Sequence, residues 1–264
     1  MKLAIFGASG RMGRAIARLA YESGDTEVVG AIAAPGDPTL GQDLGHLAGV
    51  DPLGVEVSSD LAAGLLGAEV VIDFSVAQAT PAVIRACKKA GVALVSGTTN
   101  LEDASIAQLD DLSLSVPVIW APNMSRGVQV LAEVVQHAMK LLGSEFDVEI
   151  VEVHHRRKVD SPSGTAVRLF DAACEVRPDL REIRGRDGQV GARTNTEAGV
   201  FGVRGGDVIG DHTVHLLGDG ERLELTHRAT NRDLFARGAL SAARFASKSR
   251  PGRYTIADVL AGGY

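Results

Sequence analysis

One stretch of the sequence concentrates residues able to move protons and hold anions. It reads Glu149-Ile150-Val151-Glu152-Val153-His154-His155-Arg156-Arg157-Lys158-Val159-Asp160-Ser161-Pro162-Ser163-Gly164-Thr165-Ala166. An apolar-patterned strand ends in two histidines and three cations, and a Ser-Pro-Ser-Gly-Thr segment then opens a helix. Histidine titrates near neutral pH, so His154 and His155 are candidates for general acid–base work. Ser161 or Ser163 can cap the helix. The amides of Gly164 and Thr165 fall in its first turn, where a carboxylate is favoured. Lys158 adds a cation to the same loop, which suits a small anion, such as a dicarboxylate. Taken singly, a His-His pair reads equally well as one buried and one exposed residue, and Arg-Arg-Lys as a solvated loop. His212 and His215 are spaced like no zinc pattern with further cysteines and read as strand residues. His46, His137 and His227 take the same structural reading.

A second chemical signal lies at the start of the chain. Gly7, Ala8, Ser9, Gly10, Arg11, Met12 and Gly13 follow an apolar strand and open a helix. Glycines at this spacing let the main chain turn sharply and approach a pyrophosphate. The helix start then offers N–H groups and a partial positive charge. The alternative is a turn needed only for helix–strand packing. Two later loops, Gly97-Thr98-Thr99-Asn100 and Ala121-Pro122-Asn123-Met124-Ser125, follow strands and suit a nicotinamide carboxamide. The expected cofactor is therefore NADH, NADPH or both. An NAD site usually carries an acid at the end of the second strand. Here Ala33 and Ala34 stand there, and Asp37 falls a few residues late. No arginine occupies that end either, although Arg11 or Arg14 is within reach. The expectation is a relaxed cofactor choice, or one leaning to NADPH.

These loops need a scaffold. Short apolar strands are predicted at 3–6, 27–32, 55–57, 69–74, 92–95 and 116–120. Helices are predicted at 11–22, 81–90 and 101–112. Unalternating apolar strands between helices predict a doubly wound, Rossmann-like parallel sheet covered on both faces. A long helix follows at 127–142, with Val128, Leu131, Val134, Val135, Ala138, Leu141 and Leu142 as its apolar face. Next come a strand at 146–153, a helix at 164–175, and strand-like runs near 199–203, 207–209, 213–217 and 222–226. Glycine-rich turns between them predict a second α+β domain on a mixed sheet. The last helix is expected at 232–247, followed by a short tail. The dinucleotide-binding domain is placed at 1–124 plus 235–264, and the substrate-binding and oligomerisation domain at 125–234.

Composition bounds the rest. The chain has 264 residues, 45% hydrophobic and 23% charged, with two cysteines and a net charge of −6. Its size buries enough core without a disulfide or metal staple, and Cys87 and Cys174 read as reduced thiols. No metal site is expected. The acidic balance argues against a general nucleic-acid surface. No apolar run approaches a membrane span, and the first residues lack a secretory pattern, so a cytoplasmic protein is expected. Glycine is abundant at 31 residues, consistent with many tight loops.

The segment Glu149–Ala166 resembles the signature of the 4-hydroxy-tetrahydrodipicolinate (dihydrodipicolinate) reductase family. The likeness spans essentially the whole chain. It includes Gly7 to Arg14, Ile72-Asp73-Phe74-Ser75, Gly97-Thr98-Thr99, Asn123-Met124-Ser125, Arg204-Gly205-Gly206-Asp207, Gly210-Asp211-His212-Thr213 and Thr226-His227-Arg228-Ala229 with Arg232. The resemblance implies reduction of a cyclic imine dicarboxylate to tetrahydrodipicolinate with NAD(P)H, on the diaminopimelate route to lysine. It implies His154 as general acid/base and Lys158 as a proton donor or positioning cation. It places His155, Lys158, Gly164 and Thr165 on the substrate carboxylates. It also implies a homotetramer formed through the second domain's sheet, and a final segment packed on the first. Two departures stand out: Ala33 replaces a frequent acid, and Arg126 an aliphatic residue. On local chemistry alone, a reductase of another small oxo or imino acid, or a non-catalytic dinucleotide sensor, fits too.

Overall fold

A computed structural model describes residues 1–262. The chain forms two compact units, one built from Met1–Met124 with the chain from Asp233 onward, the other from Ser125–Arg232.

In the first unit, strands β1 (Lys2–Phe6), β2 (Glu27–Ile32), β3 (Val57–Ser58), β4 (Val70–Asp73), β5 (Ala93–Ser96) and β6 (Pro117–Trp120) are connected through helices α1 (Arg11–Ser23), α2 (Leu44–Ala48), α3 (Leu61–Gly64), α4 (Thr80–Ala90) and α5 (Asp103–Ser113). Together with a later strand, β12 (Gly252–Tyr254), these strands form a sheet that is parallel throughout, in the order β12-β6-β5-β4-β1-β2-β3. Strands β1, β4 and β5 are nearly all buried, because helices cover both faces. The order reverses between β1 and β4, where ligands of such sheets bind.

The second unit contains α6 (Arg126–Leu142), β7 (Asp147–His154), α7 (Gly164–Val176), β8 (Arg181–Ile183), β9 (Glu197–Arg204), β10 (Gly210–Gly218) and β11 (Glu221–Ala229). Its sheet runs β11-β10-β7-β9-β8, antiparallel on the β10 side and parallel on the β9 side. The mixed sheet follows from connectivity. A tight glycine turn joins β10 to β11, whereas β7 reaches β8 and β9 only by way of α7. Val148 and Ile150 of β7, Val214 and Leu216 of β10, and Ala198 and Val200 of β9 pack with Leu131, Val135 and Met139 of α6 and with Leu169, Ala172 and Ala173 of α7.

The chain then returns to the first unit as α8 (Asp233–Ala246), β12 (Gly252–Tyr254) and α9 (Ile256–Ala261). Ala236, Ala239, Leu240, Ala242, Ala243 and Ala246 of α8 join its core, and Arg18 of α1 donates to Asp233 at 2.7 Å.

Several expectations are corrected. The third strand starts at Val57 rather than Val55, because Glu56 bridges back to Asp43. The expected strand at 207–209 is loop, because a glycine turn holds it while the Val208 carbonyl accepts from His155 N–H at 2.7 Å. Strand β8 has no clear apolar run and was not expected. The expected tail forms β12 and α9. On α6, Val134 and Leu141 are 42% and 75% exposed, since the buried stripe runs through 128, 131, 132, 135 and 139.

Candidate active site

Strand alternation builds the second unit's cluster. Along β7, Val148, Ile150, Glu152 and His154 all point to the helix-covered face, because strand side chains alternate. The face begins apolar and ends polar. On β10 the same alternation buries Gly210, His212, Val214 and Leu216. The register sets His212 opposite Glu152, Gly202 opposite Glu152, and Arg204 opposite His154.

Glu152 is fully buried and is satisfied from several sides. Arg204 clamps both carboxylate oxygens at 2.7 Å, and Ser163 N–H donates at 3.1 Å. His154 Nδ1 lies 2.5 Å from its Oε2. Burial alone would raise the Glu152 pKa, but the bonds from Arg204 and His154 hold it below the usual carboxylate range. An ionised Glu152 accepts the Nδ1 proton, which leaves His154 Nε2 for chemistry. Burial lowers the His154 pKa, and Glu152 opposes that effect. His154 and His212 meet edge to face with ring centroids 5.1 Å apart, and His212 Nε2 lies 3.0 Å from Ser163 Oγ. Burial drives the His212 pKa down to about 3.

Small residues make room for this cluster. A Cβ at Gly210 would lie 2.9 Å from His154 Nε2, and one at Gly202 would lie 2.9 Å from a Glu152 oxygen.

After β7 the loop turns on itself: Lys158 N–H donates to the His155 carbonyl, and Lys158 Nζ donates to Asp160 at 2.8 Å. Arg204 also donates to the Asp160 carbonyl, so one guanidinium holds both the acid and the loop. The Lys158 charge is near enough to depress His154. His155 is half-buried, and its Nδ1 has no partner among the described residues. Ser163 caps α7 by accepting from Ala166 N–H at 3.2 Å. Gly164 and Thr165 occupy the helix's first two positions, and a Cβ on Gly164 would meet open space. His155 and Lys158 thus lie in the loop that joins His154, at the end of β7, to Gly164 and Thr165, at the start of α7. Glu152, Arg204, His212, Gly202 and Gly210 were missed as site residues. The alternation 148-150-152-154 carried the signal for Glu152. Arg204 and His212 needed the strand register.

In the first unit, Gly7 has φ +79, and a Cβ there would lie 2.7 Å from the Phe74 carbonyl oxygen. A Cβ on Gly13 would overlap the Gly7 carbonyl. The amides of Gly7 and Ala8 donate to the Ile32 carbonyl at 2.9 and 3.0 Å. Gly10 stands at the N-cap of α1 and offers no side-chain cap, and the first turn holds no acid, leaving a helix start suited to an anion. The loop therefore fits a pyrophosphate. Ala8 is buried and offers only backbone, and Met12 packs partly on the core. Arg11 is exposed. Thr98 donates to buried Asp73 at 3.0 Å, and its carbonyl accepts from Trp120. Gly97 packs on the Phe74 ring, and Thr99 is exposed. Ala121 N–H donates to the Ser96 carbonyl at 3.0 Å. Pro122 is exposed and Asn123 half-buried, whereas Met124 lies in the core with its carbonyl against Gly238. These loops stand at the carboxyl ends of β1, β5 and β6. No helix among the described residues is long and apolar enough to cross a membrane.

Fold and side-chain chemistry together point to a class: an oxidoreductase with one unit shaped for a dinucleotide and another that carries a buried histidine–carboxylate pair beside basic side chains. Within that class the match is specific. The family description "Dihydrodipicolinate reductase, N-terminus" matches residues 1–124 and "Dihydrodipicolinate reductase, C-terminus" matches residues 127–260. The chain belongs to the dihydrodipicolinate reductase family, whose members are NAD(P)H-dependent oxidoreductases. The 4-hydroxy-tetrahydrodipicolinate reductase of Anaeromyxobacter dehalogenans (strain 2CP-C) is 47% identical over 262 residues, covering 98% of this chain and 97% of the relative. That of Methanopyrus kandleri is 46% identical, covering 98% and 96%. A solved dihydrodipicolinate reductase from Paenisporosarcina sp. TG-14, with dipicolinate bound, superposes with TM-score 0.77 at 23% identity, covering 97% of each chain. It supports the fold.

Proposed function

We propose that this chain reduces 4-hydroxy-tetrahydrodipicolinate to tetrahydrodipicolinate with NAD(P)H, on the diaminopimelate route to lysine. The observation that carries the mechanism is the buried Glu152–His154 pair clamped by Arg204. The loop Gly7–Gly13, with Gly97–Thr99 and Ala121–Met124, would hold the dinucleotide. When bound there, a reduced nicotinamide would supply the hydride that the conjugated imine needs. His154 then quenches the electron density that builds on the substrate, by donating a proton from Nε2. Its lowered pKa makes its protonated form a stronger acid. Glu152 fixes the tautomer and favours the charged ring. Lys158, anchored by Asp160, serves as a positioning cation, with His155, Gly164 and Thr165 on the substrate carboxylates.

We further infer a cytoplasmic homotetramer assembled through the outer face of the second unit's sheet, where Val151, Val153, Thr213 and Leu217 are half-exposed. Sedimentation velocity tests this; a monomer at micromolar concentration would count against it. The activity is tested by following nicotinamide oxidation with substrate made freshly from aspartate semialdehyde and pyruvate by the preceding synthase. Rapid synthase-dependent oxidation is expected. Dinucleotide binding without oxidation would favour a sensor or a reductase of another small acid.

A further inference from the structure

The acid missing from the end of β2 is replaced in space. Ala34, Pro35, Gly36 and Asp37 form a tight turn in which Asp37 N–H donates to the Ala34 carbonyl at 3.1 Å and Gly36 adopts φ +81. Proline followed by a positive-φ glycine is the sequence of a type II turn. The turn folds the chain back, so a residue late in sequence lands beside the glycine loop. Asp37 Oδ2 accepts from Ser9 Oγ at 2.7 Å. Its Oδ1 accepts from Thr39 N–H at 2.9 Å and from Thr39 Oγ1 at 2.6 Å. The carboxylate is therefore anchored at both ends and is not a loose surface charge. Ala33 is buried in the core and offers the loop nothing polar. The nearby cation is Arg14, whose Nε donates to the Ser9 carbonyl at 2.8 Å. Ser9 thus stands between one fixed acid and one fixed base.

We propose that Asp37 sets cofactor choice, its carboxylate accepting from the adenosine ribose hydroxyls of NADH and repelling the 2′-phosphate of NADPH. The inference rests on the reading that the Gly7–Gly13 loop holds a dinucleotide. Sheets of this type carry an acid on the ribose 2′-OH. A turn supplies it here from a later position. Arg14 cannot serve a 2′-phosphate while Asp37 lies across Ser9 from it, because the carboxylate offsets its charge. Removing the carboxylate releases that cation for the phosphate.

Direct binding is the test: dissociation constants for NADH and NADPH, from the fluorescence of the reduced nicotinamide, for the wild type, Asp37→Asn and Asp37→Ser. Serine keeps an oxygen for Thr39 N–H and serves if asparagine disturbs the turn; thermal melts confirm folding. The wild type should bind NADH more tightly than NADPH. Each variant should lose NADH affinity and gain NADPH affinity, moving the ratio of the two constants by about tenfold or more. Adding Arg14→Ala to Asp37→Asn should abolish the NADPH gain. A wild type that favours NADPH, or folded variants whose ratio stays within about twofold of wild type, overturns the role of Asp37 and leaves dinucleotide binding intact. A folded wild type that binds neither cofactor overturns both readings.

Discussion

The role proposed for His154 depends on its neighbours, and each neighbour makes a separable prediction. His154→Ala should lower kcat by about 10²–10⁴-fold, the usual worth of acid–base catalysis. Steady-state kinetics on folded protein checks this, and a loss under about threefold removes His154 from the mechanism. For Lys158→Ala both kcat and KM should worsen, because charge and placement disappear together; an unchanged KM would count against substrate contact. Glu152→Gln is more diagnostic. Glu152 raises the His154 pKa against the effect of burial, so its loss should drop that pKa further. Since the proposed acid must be protonated, activity should begin to fall with rising pH at a lower pH than in the wild type. A kcat profile against pH shows the shift. An unshifted profile would make Glu152 a packing residue only.

At the scale of elements, two strands and a glycine decide the geometry. Gly210 on β10 faces His154 on β7, and a Cβ there would come within 2.9 Å of Nε2. That imidazole is held by Glu152 and cannot swing away freely. Gly210→Ala should therefore displace the ring and cut kcat by up to about 10²-fold, with little change in dinucleotide affinity. A kcat within about twofold of wild type would show that the ring can yield. Helix α8 matters differently. Leu240 is 3% exposed among small alanines in the first unit's core. Leu240→Ala should cost about 2–5 kcal/mol in urea unfolding, because the neighbouring helices cannot collapse fully onto the void. A cost below about 1 kcal/mol would mean that they do.

For the molecule as a whole, buried histidines link stability to pH. His212 has a folded pKa of about 3 against an ordinary 6.5. Between those values the unfolded chain binds a proton that the folded chain excludes. Stability should then fall as pH drops from 6.5 toward 3, by up to about 1.4 kcal/mol per pH unit from this residue. Urea midpoints measured across that window should decline more steeply for the wild type than for His212→Asn. Parallel slopes would show that His212 takes up its proton in the folded state. The two units are also unequal in sequence. The first is assembled from both ends of the chain, so its core needs α8 and α9 as well as the first 124 residues.

Much of this was legible in the residues themselves. Short apolar runs alternating with helical spacing determined the parallel sheet, because strands buried on both faces need no polar alternation. Glycine spacing after β1 and the His-Lys-Ser-Gly-Thr string marked the candidate loops, since backbone turns and helix starts are local devices. Strand register, turns and chain return were decided only in three dimensions. Arg204 and His212 lie far along the chain from His154 and meet it only through the pairing of β9 and β10 with β7. Asp37 looked displaced by its position in the chain, yet a proline–glycine turn brings it to Ser9. The tail beyond α8 has too few apolar residues to reveal β12, which forms because β6 leaves an open edge for it. Local pattern fixes what each segment can become. Long-range pairing chooses its neighbours, and those neighbours set the charge and hydrogen bonds around a histidine such as His154 or an aspartate such as Asp37.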